Sequence, residues 1–182
     1  MHLIEKAKEF AKAAHQGQTR KLSDEPYFVH AEGVATILRE AGLSRELIAA
    51  GYLHDTVEDT SATIQDIHEL FGEKVAEIVG GNTEDKTKSW EERKSHTIEE
   101  LKAASFEVKC LVVADKLDNL RSFVSEAKVD NNRDIWAQFK RGKQEQRWYF
   151  KGVASALFEN TEEERIPAYF HTYQNLVDDF FK

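Results

Sequence analysis

The sequence contains few of the residues that cross-link chains or interrupt helices. Its 182 residues include 1 Cys, 2 Pro and 9 Gly. The single cysteine, Cys110, excludes an internal disulfide framework and is typical of a reducing compartment. Because β-rich domains need many turns, and hence many Gly and Pro, these counts favour long helices. We therefore predict an all-α fold, a single-domain helical bundle over residues 1–182.

Long apolar runs and an excess of positive charge are also absent. The most apolar stretches, such as 110–114, are far shorter than the ~20 residues that cross a bilayer. The N-terminus carries charges where a signal peptide would be apolar. The net charge of −8 disfavours nucleic-acid polymers and anionic membranes, which both require a surplus of cations. We predict a cytoplasmic protein whose partners include neither.

Apolar residues recur at helical spacing along most of the chain. The residues between these stretches are polar and predict loops over 16–27, 56–62 and 80–90. Thr161 followed by Glu164 predicts a capping box at the start of the last helix. The periodicity predicts nine helices, over residues 3–14, 28–42, 45 to about 55, 63–70, 73–79, 91–103, 108–124, 130–158 and 161–181.

An apolar stripe lies near the C-terminus. Its members are Phe170, Tyr173, Leu176, Val177, Phe180 and Phe181. Such spacing is typical of a helix face that packs into the core, and it is also compatible with a homodimer face.

A polar run ends the otherwise apolar third helix. His54 and Asp55 are adjacent, and Glu58 and Asp59 follow three to four residues later. Burying such groups without partners costs several kcal/mol, so they must be solvated, paired or bound to a cation. Imidazole together with carboxylate suits a first-row transition ion such as Mn, Fe or Zn.

Two further polar residues are candidates for the same site. His30 lies near the start of the second helix, and Asp115 follows the most apolar segment of the chain. Each has a simpler interpretation. The histidine can be solvated or hydrogen-bonded, and Asp115 can pair with Lys116 or Arg121. The acidic pair after the third helix can cap the helix that follows. The residues alone leave these alternatives open.

The order His, His-Asp, Asp on separate helices is similar to that of the HD metal-dependent phosphohydrolases. The chain resembles the hydrolase domain of the RelA/SpoT group, and most closely its stand-alone small alarmone hydrolases of the metazoan SpoT homologue type. The resemblance covers residues 1–125 and is loose in the last third. Six segments carry it in order: 15–21, 26–30, 53–60, 71–75, 83–86 and 114–121.

The resemblance implies a bundle of the HD-domain type, with residues 130–182 completing it. It implies that Glu58 and Asp59 position or deprotonate the attacking water. It implies one divalent metal ion, most often Mn²⁺, with four protein ligands: His30, His54, Asp55 and Asp115. It also implies five substrate contacts: Arg20 to the purine base, Lys21 and Lys86 to phosphates, Asn119 to sugar or phosphate, and Tyr149 to the phosphate end. Tyr149 is equally compatible with a core aromatic.

The activity implied by the resemblance is removal of the 3′-pyrophosphate from (p)ppGpp-type guanosine alarmones, giving GDP or GTP and pyrophosphate. No synthetase domain is expected after Arg121. One alternative is hydrolysis of another phosphorylated nucleotide: an adenine alarmone, a nucleoside monophosphate or the 2′-phosphate of NADPH. Another is a non-catalytic nucleotide sensor. Three positions depart from the family pattern, Ala31, Asn82 and Asp118. Of these, Asp118 is expected to weaken anion binding or alter substrate choice.

Overall fold

The computed structural model describes residues 2–129 and 134–182. These residues form helices and no strand, although an isolated antiparallel bridge joins Thr19 to Pro26. The all-α prediction is confirmed. The α-helices are α1 (Leu3–Ala14), α2 (Phe28–Glu40), α3 (Arg45–Leu53), α4 (Thr56–Asp59), α5 (Ile64–Phe71), α6 (Glu73–Asn82), α7 (Trp90–Ala103), α8 (Phe106–Val129), α9 (Lys143–Ala156) and α10 (Ala168–Phe180).

The core is built around α8, which contacts α2, α3, α6 and α10. Its first half is buried on all sides, from Val108 to Asp115. A helix that is apolar all round belongs in the interior. On the other side of α3, helices α1 and α2 cover its apolar residues. The buried faces of α2, α3 and α8 therefore meet, and this brings the polar residues on these helices together.

Several helix ends follow directly from local sequence. Ser44 accepts a hydrogen bond from the N–H of Leu47 and caps α3. Thr63 and Asp66 form a capping box at the start of α5. Gly72 separates α5 from α6 with a φ of 92°, a conformation that favours glycine. Because Thr63 caps α5, the acidic residues before it are free for another role.

The predicted helix over 130–158 is wrong. Residues 130–133 lie outside the described part of the chain. After them come a 3₁₀ helix, Ile135–Gln138, and then α9, which begins only at Lys143. The side chain of Asp134 accepts a hydrogen bond from the N–H of Trp136 and so starts the 3₁₀ turn. The other differences between the predicted and observed helices are smaller. For example, the predicted loop 56–62 contains the single-turn helix α4.

The predicted capping box at Thr161 is also wrong. Its hydroxyl accepts a hydrogen bond from the ammonium of Lys109 at 2.9 Å. A 3₁₀ turn follows, and α10 begins after Pro167. Proline lacks an N–H and disfavours helical geometry at the preceding residue, here Ile166. A helix therefore cannot run continuously from 161 to 181.

The C-terminal apolar stripe packs into the protein's own core. Phe170, Tyr173, Val177 and Phe181 have no exposed surface, and Leu176 and Phe180 pack against the buried cluster. The stripe therefore supplies no argument for a homodimer. None of the described helices is long and apolar enough to pass through a membrane.

Replacing Gly51 with alanine tests the close packing of α3 on α2. A Cβ at Gly51 would lie 2.8 Å from Cδ1 of Leu38 and 3.1 Å from Cα of Ala35. We expect a loss of about 1–3 kcal/mol in the free energy of unfolding, because the gain in helix propensity is smaller than the cost of overpacking. Urea denaturation measures it.

Gly80→Ala is the matched control for that substitution. Gly80 is an exposed helical glycine whose Cβ would meet nothing closer than 3.6 Å. It should stabilise the protein by up to about 1 kcal/mol. Equal effects at the two glycines would contradict the packing argument.

Candidate metal centre and active-site cleft

Two buried histidines face each other across the α2–α3 contact. The Nε2 atoms of His30 and His54 lie 3.1 Å apart. His54 Nδ1 donates to the carbonyl of Gly51 at 2.8 Å, and His30 Nδ1 lies 2.6 Å from Oδ2 of Asp118. Because a carbonyl and a carboxylate only accept, both Nδ1 atoms carry the proton. In the neutral rings, both Nε2 lone pairs then point at the same volume.

Two carboxylates complete this cluster. Asp115 Oδ1 lies 3.2 Å from His30 Nε2 and 3.8 Å from His54 Nε2. Asp55 Oδ2 lies 3.1 Å from His54 Nε2 and 3.7 Å from His30 Nε2. The ligand atoms of His30, His54 and Asp115 are all within 4.8 Å of one another, and Asp55 borders this group. The four predicted metal ligands therefore lie together in space.

The donor atoms suit a divalent cation. The ligand atoms of His30, His54 and Asp115 lie close enough together to share one ion, and Oδ2 of Asp55 lies 3.1 and 3.7 Å from the Nε2 atoms of His54 and His30. Mixed imidazole and carboxylate donors of this kind suit a first-row divalent ion. The other oxygen of Asp115 accepts from Lys116 at 2.6 Å, and the hydroxyl of Tyr27 donates to Asp55. Asp115 therefore pairs with Lys116 through Oδ2 and belongs to the cluster through Oδ1. Such outer partners hold the ligands of metal sites in place.

The carboxylates place a strong negative potential on the histidines. Burial lowers the pKa of His54, but the charge and hydrogen bond of Asp55, with the charge of Asp115, raise it to about 9. Burial raises the pKa of Asp55, yet the nearby His54 outweighs this and holds it below its usual range. The cluster therefore attracts positive charge, and a metal ion bound there would displace protons.

The acidic pair of α4 lies at the mouth of this cluster. Glu58 is mostly buried, and its Oε1 accepts the N–H of Glu84 at 2.7 Å. Burial raises the pKa of Glu58 to about 7, against the opposing effect of that N–H. Asp59 is more exposed and pairs with Lys86, whose ammonium lies 4.0 Å from Glu58. Glu58 is therefore suited to accept a proton near neutral pH.

Arg20 lies in the loop between α1 and α2 and is held by α8. Its guanidinium donates to Oδ2 of Asp118 at 2.9 Å and to Oδ1 of Asn119 at 3.2 Å. Asn119 in turn donates to Oδ1 of Asp115 at 2.7 Å. Burial raises the pKa of Asp118, but the hydrogen bonds and charges of His30 and Arg20 reverse the effect and lower it. Asp118 therefore faces two donors rather than a phosphate site.

Most of these groups border one cleft of about 470 Å³. The two histidines are buried and do not line it, and neither does Asp118. Clefts of about 690 and 540 Å³ lie elsewhere, along α7 and α9 and around the 80–88 loop. The cleft is lined by each of the other predicted site residues: Arg20, Lys21, Asp55, Glu58, Asp59, Lys86, Asp115, Asn119 and Tyr149.

Sequence reasoning missed several residues of this cleft. Tyr27, Glu84, Arg93, Lys94 and Lys116 line it without a predicted role. Glu84 accepts from Arg93 at 2.8 Å and from Lys94 at 2.7 Å, which ties the 83–89 loop to α7. The adjacent cations Arg93 and Lys94 directly follow the acidic first turn of α7, near a helix end that favours acidic residues, and were a usable signal.

Tyr149 has properties both of a core aromatic and of a residue that lines the cleft. It is 3 % exposed and packs among core aromatics, yet its hydroxyl has no hydrogen-bond partner among the described residues. The ammonium groups of Lys94 and Lys116 lie 4.7 and 5.7 Å from its ring centroid. Its ring thus belongs to the wall that separates the core from a cationic part of the cleft.

The family model of the HD domain matches residues 7–145. The chain belongs to the HD domain family. The matched segment contains both histidines and every acidic residue of the cluster, and it extends to the start of α9. The HD domain thus spans the His/His/Asp cluster and most of the cleft, and the predicted resemblance is confirmed at this level.

Several curated relatives of this chain are named as 3′-pyrophosphohydrolases, and others as GTP pyrophosphokinases. The guanosine-3′,5′-bis(diphosphate) 3′-pyrophosphohydrolase MESH1 of Danio rerio is 42% identical over 115 residues, 62% of this chain and 64% of that protein. The Aquifex aeolicus protein of the same activity name is 40% identical over 122 residues, 65% of this chain. This chain covers only 17% of the Aquifex protein and 20% of a Streptomyces coelicolor GTP pyrophosphokinase, a small part of those relatives.

Two solved structures share the fold of this HD domain. A metazoan ortholog of SpoT, described as hydrolyzing ppGpp and acting in starvation responses, superposes with a TM-score of 0.81 at 28% identity. The match covers 99% of this chain and 96% of that one. The Listeria monocytogenes EGD-e protein lmo0812 gives 0.79 at 46% identity, covering 86% and 96%. The predicted HD-type bundle is therefore confirmed.

Proposed function

We propose that this protein is a metal-dependent phosphohydrolase that removes the 3′-pyrophosphate of (p)ppGpp-type alarmones. The observation that carries the proposal is a cleft whose lining includes Asp115 of the His/His/Asp cluster, the neighbouring Asp55, a largely buried glutamate with a raised pKa and several cations. The names of the relatives point to the same activity. Residues 1–182 would act as one catalytic domain.

The metal site would consist of His30, His54, Asp55 and Asp115. A divalent ion there would lower the pKa of bound water and neutralise phosphate charge. We propose Mn²⁺, the ion that the resemblance implies, although mixed imidazole and carboxylate donors accept several first-row ions and availability selects among them. A panel of Mn, Fe, Co, Ni and Zn with the metal-free protein tests this choice.

Glu58 would accept the proton of the attacking water. Its carboxylate is held by the N–H of Glu84 at 2.7 Å, so its orientation does not depend on substrate. Asp59 is bound to Lys86, and this ion pair must exchange partners if Lys86 is to contact a phosphate. In this pair the ammonium of Lys86 lies 4.0 Å from the carboxylate of Glu58, beside the proposed reaction site.

The two ends of the cleft suit the two ends of a nucleotide. Arg20 presents a guanidinium plane, held edge-on by Asp118 and Asn119, on which a purine can stack. At the other end Arg93, Lys94 and Lys116 supply positive charge for diphosphate groups. We assign Lys21 and Lys86 to phosphates as well, Asn119 to the sugar or phosphate, and Tyr149 to the phosphate end.

The cleft explains how an acidic protein can bind a polyanion. The net charge of −8 is that of the whole molecule. The cleft, in contrast, is lined by several Lys and Arg side chains around a cluster whose ligand atoms suit a divalent ion. A small nucleotide fits a volume of about 470 Å³, and a nucleic-acid polymer does not. We propose that the partner is a small phosphorylated nucleotide. We also propose the cytoplasmic location that the sequence predicts.

Incubation of the Mn²⁺-loaded protein with ppGpp tests the proposal. We expect GDP and pyrophosphate in equal amounts, and no product after metal removal by a chelator or in the Asp55→Ala variant. Parallel assays with an adenine alarmone, a nucleoside monophosphate and NADPH compare kcat/KM among substrates. A higher kcat/KM for any of these, or tight binding of ppGpp without turnover, would contradict the proposed activity.

A further inference from the structure

Asp118 joins the metal cluster to the arginine of the base end. Its Oδ2 lies 2.6 Å from Nδ1 of His30 and 2.9 Å from Nη1 of Arg20. Asp118 lies on α8, nearly one turn after Asp115, and only 18% of its side chain is exposed. One carboxylate oxygen thus accepts from a predicted metal ligand and from a predicted substrate contact.

The backbone of α2 is shaped around this carboxylate. A Cβ at Gly33 would lie 2.2 Å from Oδ1 of Asp118 and 3.0 Å from its Cγ. A side chain at position 33 would therefore displace the carboxylate. With Oδ2 occupied by two donors and Oδ1 against Gly33, the carboxylate has little freedom to rotate.

A second path closes the connection from the other side. The guanidinium of Arg20 also donates to Asn119 at 3.2 Å, and Asn119 donates to Asp115 at 2.7 Å. The ring of hydrogen bonds therefore runs from His30 through Asp118, Arg20 and Asn119 to Asp115. Both ends of this path are residues of the metal cluster.

We propose that Asp118 is a positioning residue that orients His30 toward the metal and Arg20 toward the nucleobase, and so couples the two subsites. A carboxylate that accepts the Nδ1 proton of a ligating histidine fixes its tautomer and ring orientation. A carboxylate that accepts from a guanidinium fixes its plane. The part concerning Arg20 rests on the proposed nucleotide substrate, whereas the part concerning His30 does not.

Metal affinity without nucleotide tests the role toward His30. We expect Asp118→Ala to weaken Mn²⁺ binding, measured by titration calorimetry, by about 10–100-fold, the effect typical of partners of metal ligands. Asp118→Asn, which keeps one acceptor, should fall in between. Asp178→Ala, at an exposed aspartate of α10, is the matched control and should bind Mn²⁺ like the wild type. Unchanged Mn²⁺ affinity in Asp118→Ala would overturn the proposal.

Gly33→Ala gives an independent readout, because it removes no polar group and acts on Asp118 only through the added Cβ. It should displace Asp118 and weaken Mn²⁺ binding in the same direction, whereas Gly80→Ala should not. Circular dichroism and urea denaturation show that each variant is folded. A folded Gly33→Ala variant with wild-type Mn²⁺ affinity would mean that the carboxylate position does not matter for the metal.

A double-mutant cycle on the KM for ppGpp tests the role toward Arg20. In the wild-type background, Arg20→Ala should raise KM by about tenfold, because the stacking of the guanidinium on the base is lost. In the Asp118→Ala background, the same substitution should raise KM by about twofold or less. Equal effects in both backgrounds would overturn the coupling. If the wild type does not hydrolyse ppGpp, the proposed function fails, and the Mn²⁺ titrations still decide the role of Asp118 toward His30.

Discussion

The Asp55→Asn variant is expected to lose about a thousandfold or more in kcat/KM. The substitution preserves side-chain volume but leaves one of the four converging donors without charge, 3.1 Å from Nε2 of His54. A metal ion contributes several kcal/mol to stabilising transition-state charge, and each 1.4 kcal/mol is a factor of ten in rate. Steady-state assay with saturating Mn²⁺ measures the loss.

Binding and stability measurements separate loss of the metal from loss of the fold. We expect Mn²⁺ affinity to fall by more than about 100-fold, beyond the typical effect of an outer partner. The rise in Tm that a bound ion produces should disappear with it. The metal-free variant should unfold cooperatively, because asparagine fits the same space. Asp179→Asn, an exposed aspartate paired with Lys182, is the control. Wild-type Mn²⁺ affinity in Asp55→Asn would remove Asp55 from the ligand set.

Glu58→Gln should reduce kcat/KM by about 10²–10⁴-fold, the usual contribution of a general base. Glutamine keeps the hydrogen bond from the N–H of Glu84 but cannot accept a proton from water. Mn²⁺ affinity should remain near that of the wild type, which distinguishes this variant from Asp55→Asn. Glu77→Gln, at an exposed glutamate of α6, is the matched control.

The pH profile gives the second signature of Glu58. Burial raises the pKa of this glutamate to about 7. A base must be deprotonated to act, so wild-type kcat/KM should rise tenfold per pH unit below about 7 and level off above it. The acid limb should vanish in Glu58→Gln. An acid limb at the ordinary pKa of an exposed glutamate in the wild type would show that burial does not tune this group.

The polar residues on apolar helices were the most predictable part of the site. His30 and Asp115 interrupt buried faces of α2 and α8, and His54 directly follows α3. Because burial without partners is costly, these groups had to be solvated, paired or bound to a cation, and the resemblance to the HD phosphohydrolases implied that they share one site. The structure brings them within 4.8 Å of one another. Helix periodicity was equally informative for α1, α2, α3, α5, α6 and α8, whereas the single-turn helix α4 was predicted as a loop.

The C-terminal third was predicted less well. Apolar periodicity over 130–158 and 161–181 suggested continuous helices, whereas α9 and α10 are shorter and preceded by 3₁₀ turns. At Thr161 a hydrogen bond from the distant Lys109 replaced the predicted cap. Periodicity does not report such tertiary contacts, since they join residues about 50 positions apart.

The sequence did not predict the direction in which the side chain of Asp118 points. As a departure from the family pattern it predicted an extra negative charge near the phosphates. The structure instead turns its carboxylate toward His30 and Arg20, in the space left by Gly33 on α2. The direction of a side chain on a helix depends on which neighbour packs there.

By itself, the sequence determined that the chain is all-helical, that a His/His-Asp/Asp set lies on three buried helices, and that Glu58 and Asp59 stand beside it. The helices follow from periodicity, whereas the grouping of these polar residues follows from the resemblance to the HD phosphohydrolases together with the cost of burying them unpaired. Only the tertiary structure decided which atoms converge, that Lys86 is paired with Asp59, and that Asp118 links the metal cluster to Arg20. Distances and hydrogen-bond partners between helices are set by packing, which no local pattern encodes.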